Sequence, residues 1–150
     1  MRHPYFFLLL LIGLKGASAQ NQAVDAKAVE TAKNTNVRQI ESSLPDKSFE
    51  QWLRGLVGMQ TRIDWEVNDC GEQTGDPAVD RGRNFPMCVS ALVNLTGKRR
   101  LDVQLVVGSF KGGIRAGPAS LFYAVITHPD GSHKSVALLS RLPEAIKALK

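Results

Sequence analysis

From Ile63 onward the apolar residues of this chain recur at every second position, and that period constrains the fold more than any other feature. Ile63, Trp65 and Val67 alternate with Arg62, Asp64, Glu66 and Asn68. Val89, Ala91, Val93 and Leu95 repeat the pattern, as do Leu101, Val103, Leu105 and Val107. Successive side chains of a strand point to opposite faces, so each run describes a strand with one buried face. Leu121, Tyr123 and Val125 read as a further strand. Turn chemistry separates the runs: Asn94-Leu-Thr-Gly-Lys-Arg99, and then His128-Pro-Asp-Gly-Ser-His133, which sends the chain back through Val136 to Leu139.

Helical spacing brackets the strands. Ser48-Phe-Glu-Gln51 has the Ser-x-x-Gln spacing of a capping box, and Phe49, Trp52, Leu53 and Leu56 follow at intervals of three and four up to Gly58. At the other end Leu142, Ile146 and Leu149 share one side of a helix, with Pro143 near its start and Lys147 near its end. Helix, about five antiparallel strands, helix is the order of an α+β domain with its helices on one face of a curled sheet. The opposite face is expected to be wet around Arg62, Asp64, Glu66, Asp102 and Gln104, with a small apolar patch from Phe122, Ala124 and Ile126.

Met1 to Ala19 reads as a secretory signal peptide, with Arg2 at its start, Tyr5 to Ile12 as its apolar centre and Ala17-Ser18-Ala19 as its cleavage site. That centre falls well short of the roughly twenty apolar residues that span hydrocarbon, so no stable membrane span is expected and the location is periplasmic or secreted. Cleavage leaves 131 of the 150 residues, enough for one domain with its own core. Residues 20–44 are poor in large apolar side chains and read as a flexible leader, with one frayed helical segment around Asp25 to Lys33; the folded domain is expected over 45–150. Cys70 and Cys88 are the only cysteines, and in an oxidising compartment they are expected to form a disulfide closing the turn-rich segment between them.

The whole chain carries +5; without Arg2 and Lys15, 17 basic residues against 14 acidic ones leave +3. That excess is too small and too dispersed for phosphate neutralisation, so nucleic acid is not expected as a partner. Lys98-Arg99-Arg100 reads as a solvated turn. No cofactor is expected. His128 and His133 flank one hairpin, where a general base would lack walls to exclude water. With Asp130 between them they also fall short of a metal site with three or four ligands and supporting partners. Asp64 and Glu66 share a strand face at a separation that glycoside hydrolysis uses, but beside Arg62 they read as charge balancing. Asn94-Leu95-Thr96 is a glycosylation sequon at a hairpin tip, with meaning only in a eukaryotic secretory pathway.

Trp65-Glu-Val-Asn-Asp-Cys-Gly-Glu72 and Arg83-Asn-Phe-Pro-Met-Cys-Val89 resemble a group of small exported proteins of Gram-negative bacteria. The resemblance covers about 25 residues around the two cysteines, implies a periplasmic location and supplies no activity. At the level of architecture alone, helix, antiparallel sheet and disulfide are similar to small periplasmic binding and inhibitor domains, including the β-lactamase-inhibitor-like and cystatin-like ones.

A core without a catalytic constellation, together with two long loops of mixed charge, points to a non-enzymatic binding protein that recognises another protein as an inhibitor, immunity or accessory factor. Contacts are expected from Glu72, Asp76, Asp80, Arg81, Arg83 and Phe85 in the first loop, and from Lys111 and Arg115 in the second. The alternative is binding of a small ligand or cell-wall glycan in the hollow of the sheet, with Trp65 and Tyr123 stacking on a ring.

Overall fold

Period-two runs and amphipathic segments together build a layer of helices on one face of an antiparallel sheet. The computed structural model describes residues 22–71, 76–82 and 85–149; the expected signal peptide at 1–19 lies outside them. In chain order the elements are α1 over 22–34, then α2 (Val37–Ile40), α3 (Phe49–Val57), β1 (Ile63–Asp69), α4 (Pro77–Gly82), β2 (Pro86–Asn94), β3 (Arg100–Ser109), β4 (Gly113–Ile114), β5 (Ser120–Thr127), β6 (His133–Ser135) and α5 (Leu142–Lys147). Single 3-10 turns lie at Thr96–Lys98 and Leu139–Arg141. The open sheet runs β1-β2-β3-β5-β6, every pairing antiparallel, with β4 paired to the end of β3. This is the α+β class that the residue pattern predicts.

Register decides which residues meet the helices. Ile63, Val93, Leu101 and Ile126 form one transverse row, and Trp65, Ala91, Val103 and Ala124 the next. Val89, Ala91, Val93, Leu101, Val103, Leu105 and Val107 are at most 1% exposed; burial alternates along β3, whereas β2 is buried on both faces from Met87 to Val93. Against this face lie Phe49, Trp52 and Leu53 of α3 and Leu142, Ala145 and Ile146 of α5. Ser48 Oγ caps α3 by accepting the Gln51 N–H at 3.3 Å, and Gly58 ends it at φ 112°, a conformation in which a Cβ is strained. The Phe49 ring meets Trp65 edge-on, centroids 6.0 Å apart, tying the helix to β1.

The leader expected over 20–44 is corrected from residue 22 onward. It forms α1 and α2, and Ala28, Ala32 and Val37 have no exposed surface at all. Alanines one helical turn apart let α1 approach the core closely, so a stretch without large apolar residues still buries a stripe. Backbone bonds bind the segment to the domain: Phe49 N–H donates to Thr35 O at 2.8 Å and Val37 N–H to Lys47 O at 2.9 Å. The Thr35 hydroxyl accepts the Ala119 N–H at 3.1 Å, and both Leu139 and Ser140 N–H groups donate to the Glu41 carboxylate. The folded unit therefore starts well before Pro45.

Three further expectations change in detail. In β5 the faces are reversed: Ala124 and Ile126 are core residues at 1% exposure, while Tyr123 and Val125 point the other way. A register shift opposite Gln104 and Leu105 places Phe122 in a bulge, 51% exposed. The return strand is His133–Ser135 rather than Val136 to Leu139, whose last residue already belongs to a 3-10 turn. The segment between the cysteines is not all loop, since α4 occupies Pro77–Gly82 with Asp76 Oδ1 accepting the Ala78 N–H at 2.9 Å.

Candidate functional site: the loop end and the bare face of the sheet

Antiparallel connection gathers the C-terminal end of β1, the start of β2, the end of β3 and the start of β5 at one end of the sheet. Both long loops therefore emerge there. Cys70 and Cys88 form the expected disulfide, with Cα atoms 5.7 Å apart. It ties the end of β1 to β2 where Asn68 and Cys88 are register partners. From β2 the chain meets the second loop directly: the Phe110 N–H donates to Phe85 O at 3.1 Å, beside the Pro86–Ser109 pair. The second loop folds back as β4, and its Arg115 N–H donates to Val107 O at 2.7 Å. Gly108 is what allows this return, because a Cβ there would collide with the Gly113 carbonyl and the Ile114 backbone. Under the arm runs a groove of about 470 Å³ lined by Pro86, Val106, Gly108, Ile114 and Arg115, among others.

Of the expected contact residues, the structure brings Phe85, Lys111 and Arg115 to this end. Phe85 is half-buried, Lys111 and Arg115 are exposed, and one Arg115 guanidinium nitrogen lies 3.4 Å from Ser120 Oγ. Asp76 is exposed at the start of α4. Glu72 and Arg83, and the side chains of Asp80 and Arg81, lie outside the described residues. Sequence reasoning missed Phe110, which is 52% exposed beside Lys111. The available signal was a large aromatic residue directly after Gly108-Ser109, where a strand gives way to a glycine-rich loop.

The sheet face turned away from the helices is the second notable surface. Directly paired residues share a face, so one row across it is Glu66, Ser90, Gln104 and Tyr123, and its neighbour is Asp64, Leu92, Asp102, Val125 and Ser135. Leu92 and Val125 are 7% and 3% exposed, yet neither belongs to the core cluster that holds every buried helical side chain among the described residues. Asn68 Nδ2 donates to the buried Ser90 hydroxyl at 2.8 Å. Asp102 lies between the two apolar side chains of its row. Burial raises its pKa above the ordinary value of 3.8, opposed by the Arg100 charge and by hydrogen bonds from Ser90 and Gln104, while Glu66 raises it further. Its Oδ1 is buried and has no hydrogen-bond partner among the described residues. Tyr123 is pushed up as well, by burial first and then by the Asp102 charge.

The pocket expected between Trp65 and Tyr123 is corrected by this register. Trp65 lies on the helix side, half-buried, with Lys33 Nζ 5.1 Å from its ring centroid, whereas Tyr123 is on the bare face. The two rings are separated by the sheet and cannot stack on one ligand. Asp64 and Glu66 are both exposed on the bare face, and Arg62 Nε is 2.8 Å from Asp64 Oδ1. His128 and His133 lie at the opposite end from the two loops, where His128 Nδ1 accepts a hydrogen bond from Arg99 Nε at 3.1 Å. Asp130 is held below the usual carboxylate range by hydrogen bonds from the Ser132 hydroxyl and N–H. Among the described residues no group of three or more His, Cys, Asp or Glu side chains is placed to hold a metal, and no helix is long and apolar enough to cross a membrane.

Comparison with known proteins gave no matching family model, no matching curated protein and no matching solved structure. The geometry alone carries the functional reading.

Proposed function

We propose that this chain is an exported, non-enzymatic binding protein that recognises another protein, as an inhibitor, immunity or accessory factor, through the loop end of its sheet. The observation that carries the reading is the joining of two loops far apart in sequence by the hydrogen bond from Phe110 to Phe85, beside the Cys70–Cys88 bridge. Loops held in shape before contact lose less conformational freedom on binding. Phe110 is the anchor in this reading, since exposed aromatic residues dominate interface energetics, and Lys111 and Arg115 form a charged rim. The pattern of Met1 to Ala19 and the disulfide support export to the periplasm or beyond.

The test is affinity capture from periplasmic extract with the chain immobilised. A single protein held in stoichiometric amount is expected, bound about tenfold more weakly by Phe110→Ala and also weakened by paired reversal of Arg81 and Arg83 to Glu. Retention of no protein, or equal retention by the Phe110→Ala chain, overturns the reading.

A further inference from the structure

An open sheet has two edges, and this one treats them differently. At the β6 edge the outward backbone groups are used or interrupted. β6 covers Val125, Ile126 and Thr127 of β5, the Val136 N–H continues to Ala124 O at 2.8 Å, and the bulge at Phe122 breaks what remains of β5. β6 itself is three exposed residues with Lys134 at its centre. Short strands, bulges and lysines are the devices by which native sheets refuse an added strand.

The β1 edge carries none of them. β1 is seven residues long, holds one unbroken register with β2 and contains no proline, glycine or lysine. The Cys70 N–H donates to Pro86 O at 3.4 Å, which extends that register and fixes which backbone groups face β2. Hydrogen-bonded and non-hydrogen-bonded positions alternate in an antiparallel pair, so Asp64, Glu66 and Asn68 turn their N–H and C=O groups to β2. Those of Ile63, Trp65, Val67 and Asp69 point outward, and among the described residues no strand and no hydrogen bond takes them up.

A row of outward N–H and C=O groups is the complement of one kind of occupant, an extended chain. Side chains beside the edge define its pattern. On the helix side Trp65 and Val67 are only half-buried, with the Trp65 ring held there by Phe49 and Lys33. On the bare side Asp64 and Glu66 are exposed. A fitting strand therefore alternates apolar residues beside Trp65 and Val67 with polar residues on the other face. A second copy of this chain fits poorly, because a two-fold antiparallel pairing centred on Asp64, Trp65 or Glu66 sets carboxylate against carboxylate. The edge is also continuous with the loop end: Gly71, just past β1, lies so close to Phe85 that a Cβ there would come within 2.9 Å of its ring.

We propose that β1 accepts an extended, alternating apolar and polar segment of the partner protein as an additional strand of the sheet. This rests on the reading of the chain as a protein-recognition module and specifies how the partner is held.

The experiment uses the purified chain with its disulfide intact and, as probe, a synthetic octapeptide of alternating valine and threonine carrying a polyethylene glycol tail for solubility. Amide exchange in the free chain is expected to be fast at Trp65 and Val67 and slow at Glu66 and Asn68. Titration with the peptide is expected to be saturable and to slow exchange at Trp65 and Val67. The same peptide N-methylated at alternate amides is expected to bind at least about tenfold more weakly, since it cannot complete the ladder. Val67→Pro removes an outward N–H without touching the bonds to β2 and is expected to weaken binding about tenfold. Ser135→Pro, the matching change at the other edge, leaves it unchanged. The proposal is overturned by slow exchange at Trp65 and Val67 in the free chain, by absence of saturable binding, by equal binding of the N-methylated peptide, or by protection at β6 in place of β1. Should Val67→Pro not fold, the N-methylated peptide decides alone. Phe110→Ala separates this inference from the loop-end reading: peptide binding that persists while partner capture is lost concerns the loop end, and capture that persists without peptide binding overturns only the strand addition.

Discussion

The two faces of this sheet share the same strands and differ in almost everything else. On the helix side, rows such as Ile63, Val93, Leu101 and Ile126 meet side chains from α1, α3 and α5, and little surface remains. On the other side, buried Leu92 and Val125 flank a carboxylate whose burial is opposed by its hydrogen bonds and by Arg100. A strand residue inherits its face from register alone, so the contrast shows how the same strands build one face packed against helices and another that carries polar and charged side chains. Truncation tests the contrast most strongly. Leu105→Ala removes a side chain with no exposed surface and is expected to cost about 2–5 kcal/mol of unfolding free energy. Leu92→Ala, on the bare face, is expected to cost about half as much, because neighbours there can close over the gap. Urea unfolding of both variants checks this, and equal losses would mean that the bare face is as tightly packed as the core.

The disulfide belongs to the bare side, since Cys88 pairs in register with Asn68 and Val106 there. Its ends lie 18 positions apart, and in the chain-entropy model closing such a loop stabilises by about 3 kcal/mol. Cys70→Ser with Cys88→Ser is expected to lower the unfolding free energy by that amount while leaving the helix content of the circular dichroism spectrum intact. Collapse of the helices as well would show that the two sides do not differ in what holds them.

Smaller effects separate the sides further. Glu41 receives the N–H groups of Leu139 and Ser140, joining α2 to the turn before α5. Glu41→Ala strands both donors in a part-buried site and is expected to cost about 1.5–3 kcal/mol, measured by thermal unfolding. Nothing in the sequence advertises that clamp, because its partners are 98 and 99 positions apart. What could be read was local: the Ser48 cap, the Gly58 stop and the helix-facing residues of β2 and β3 are set by a few neighbouring residues. β5 failed because Leu121 to Ile126 is apolar at every position, which leaves no alternation to read, and a bulge then set the faces. The α1 stripe failed because two alanines carry it, and small residues reveal a buried face only by their spacing. At the loop end the sequence indicated the two loops and the disulfide, but their meeting depends on the β2–β3 register, which sets Pro86 opposite Ser109 and so places Phe110 N–H against Phe85 O. The pairing of Trp65 with Tyr123 failed for the same reason as β5, by one step of register.

The smallest expected effect is the one most specific to the bare face. Asp102 is more easily protonated in the folded chain than in the unfolded one, because burial penalises the charged form. Below its ordinary value of 3.8 the group is protonated in both states, and the penalty vanishes. As the pH rises through that value, the unfolded chain releases the proton first, so the folded state binds more protons and its stability falls until the higher folded pKa has been passed. Asp102→Asn removes this loss. The difference in unfolding free energy between the variant and the parent should therefore move in favour of the variant from acid toward neutral pH and then level off. A difference that stays constant across the range would mean that the carboxylate is as well solvated folded as unfolded.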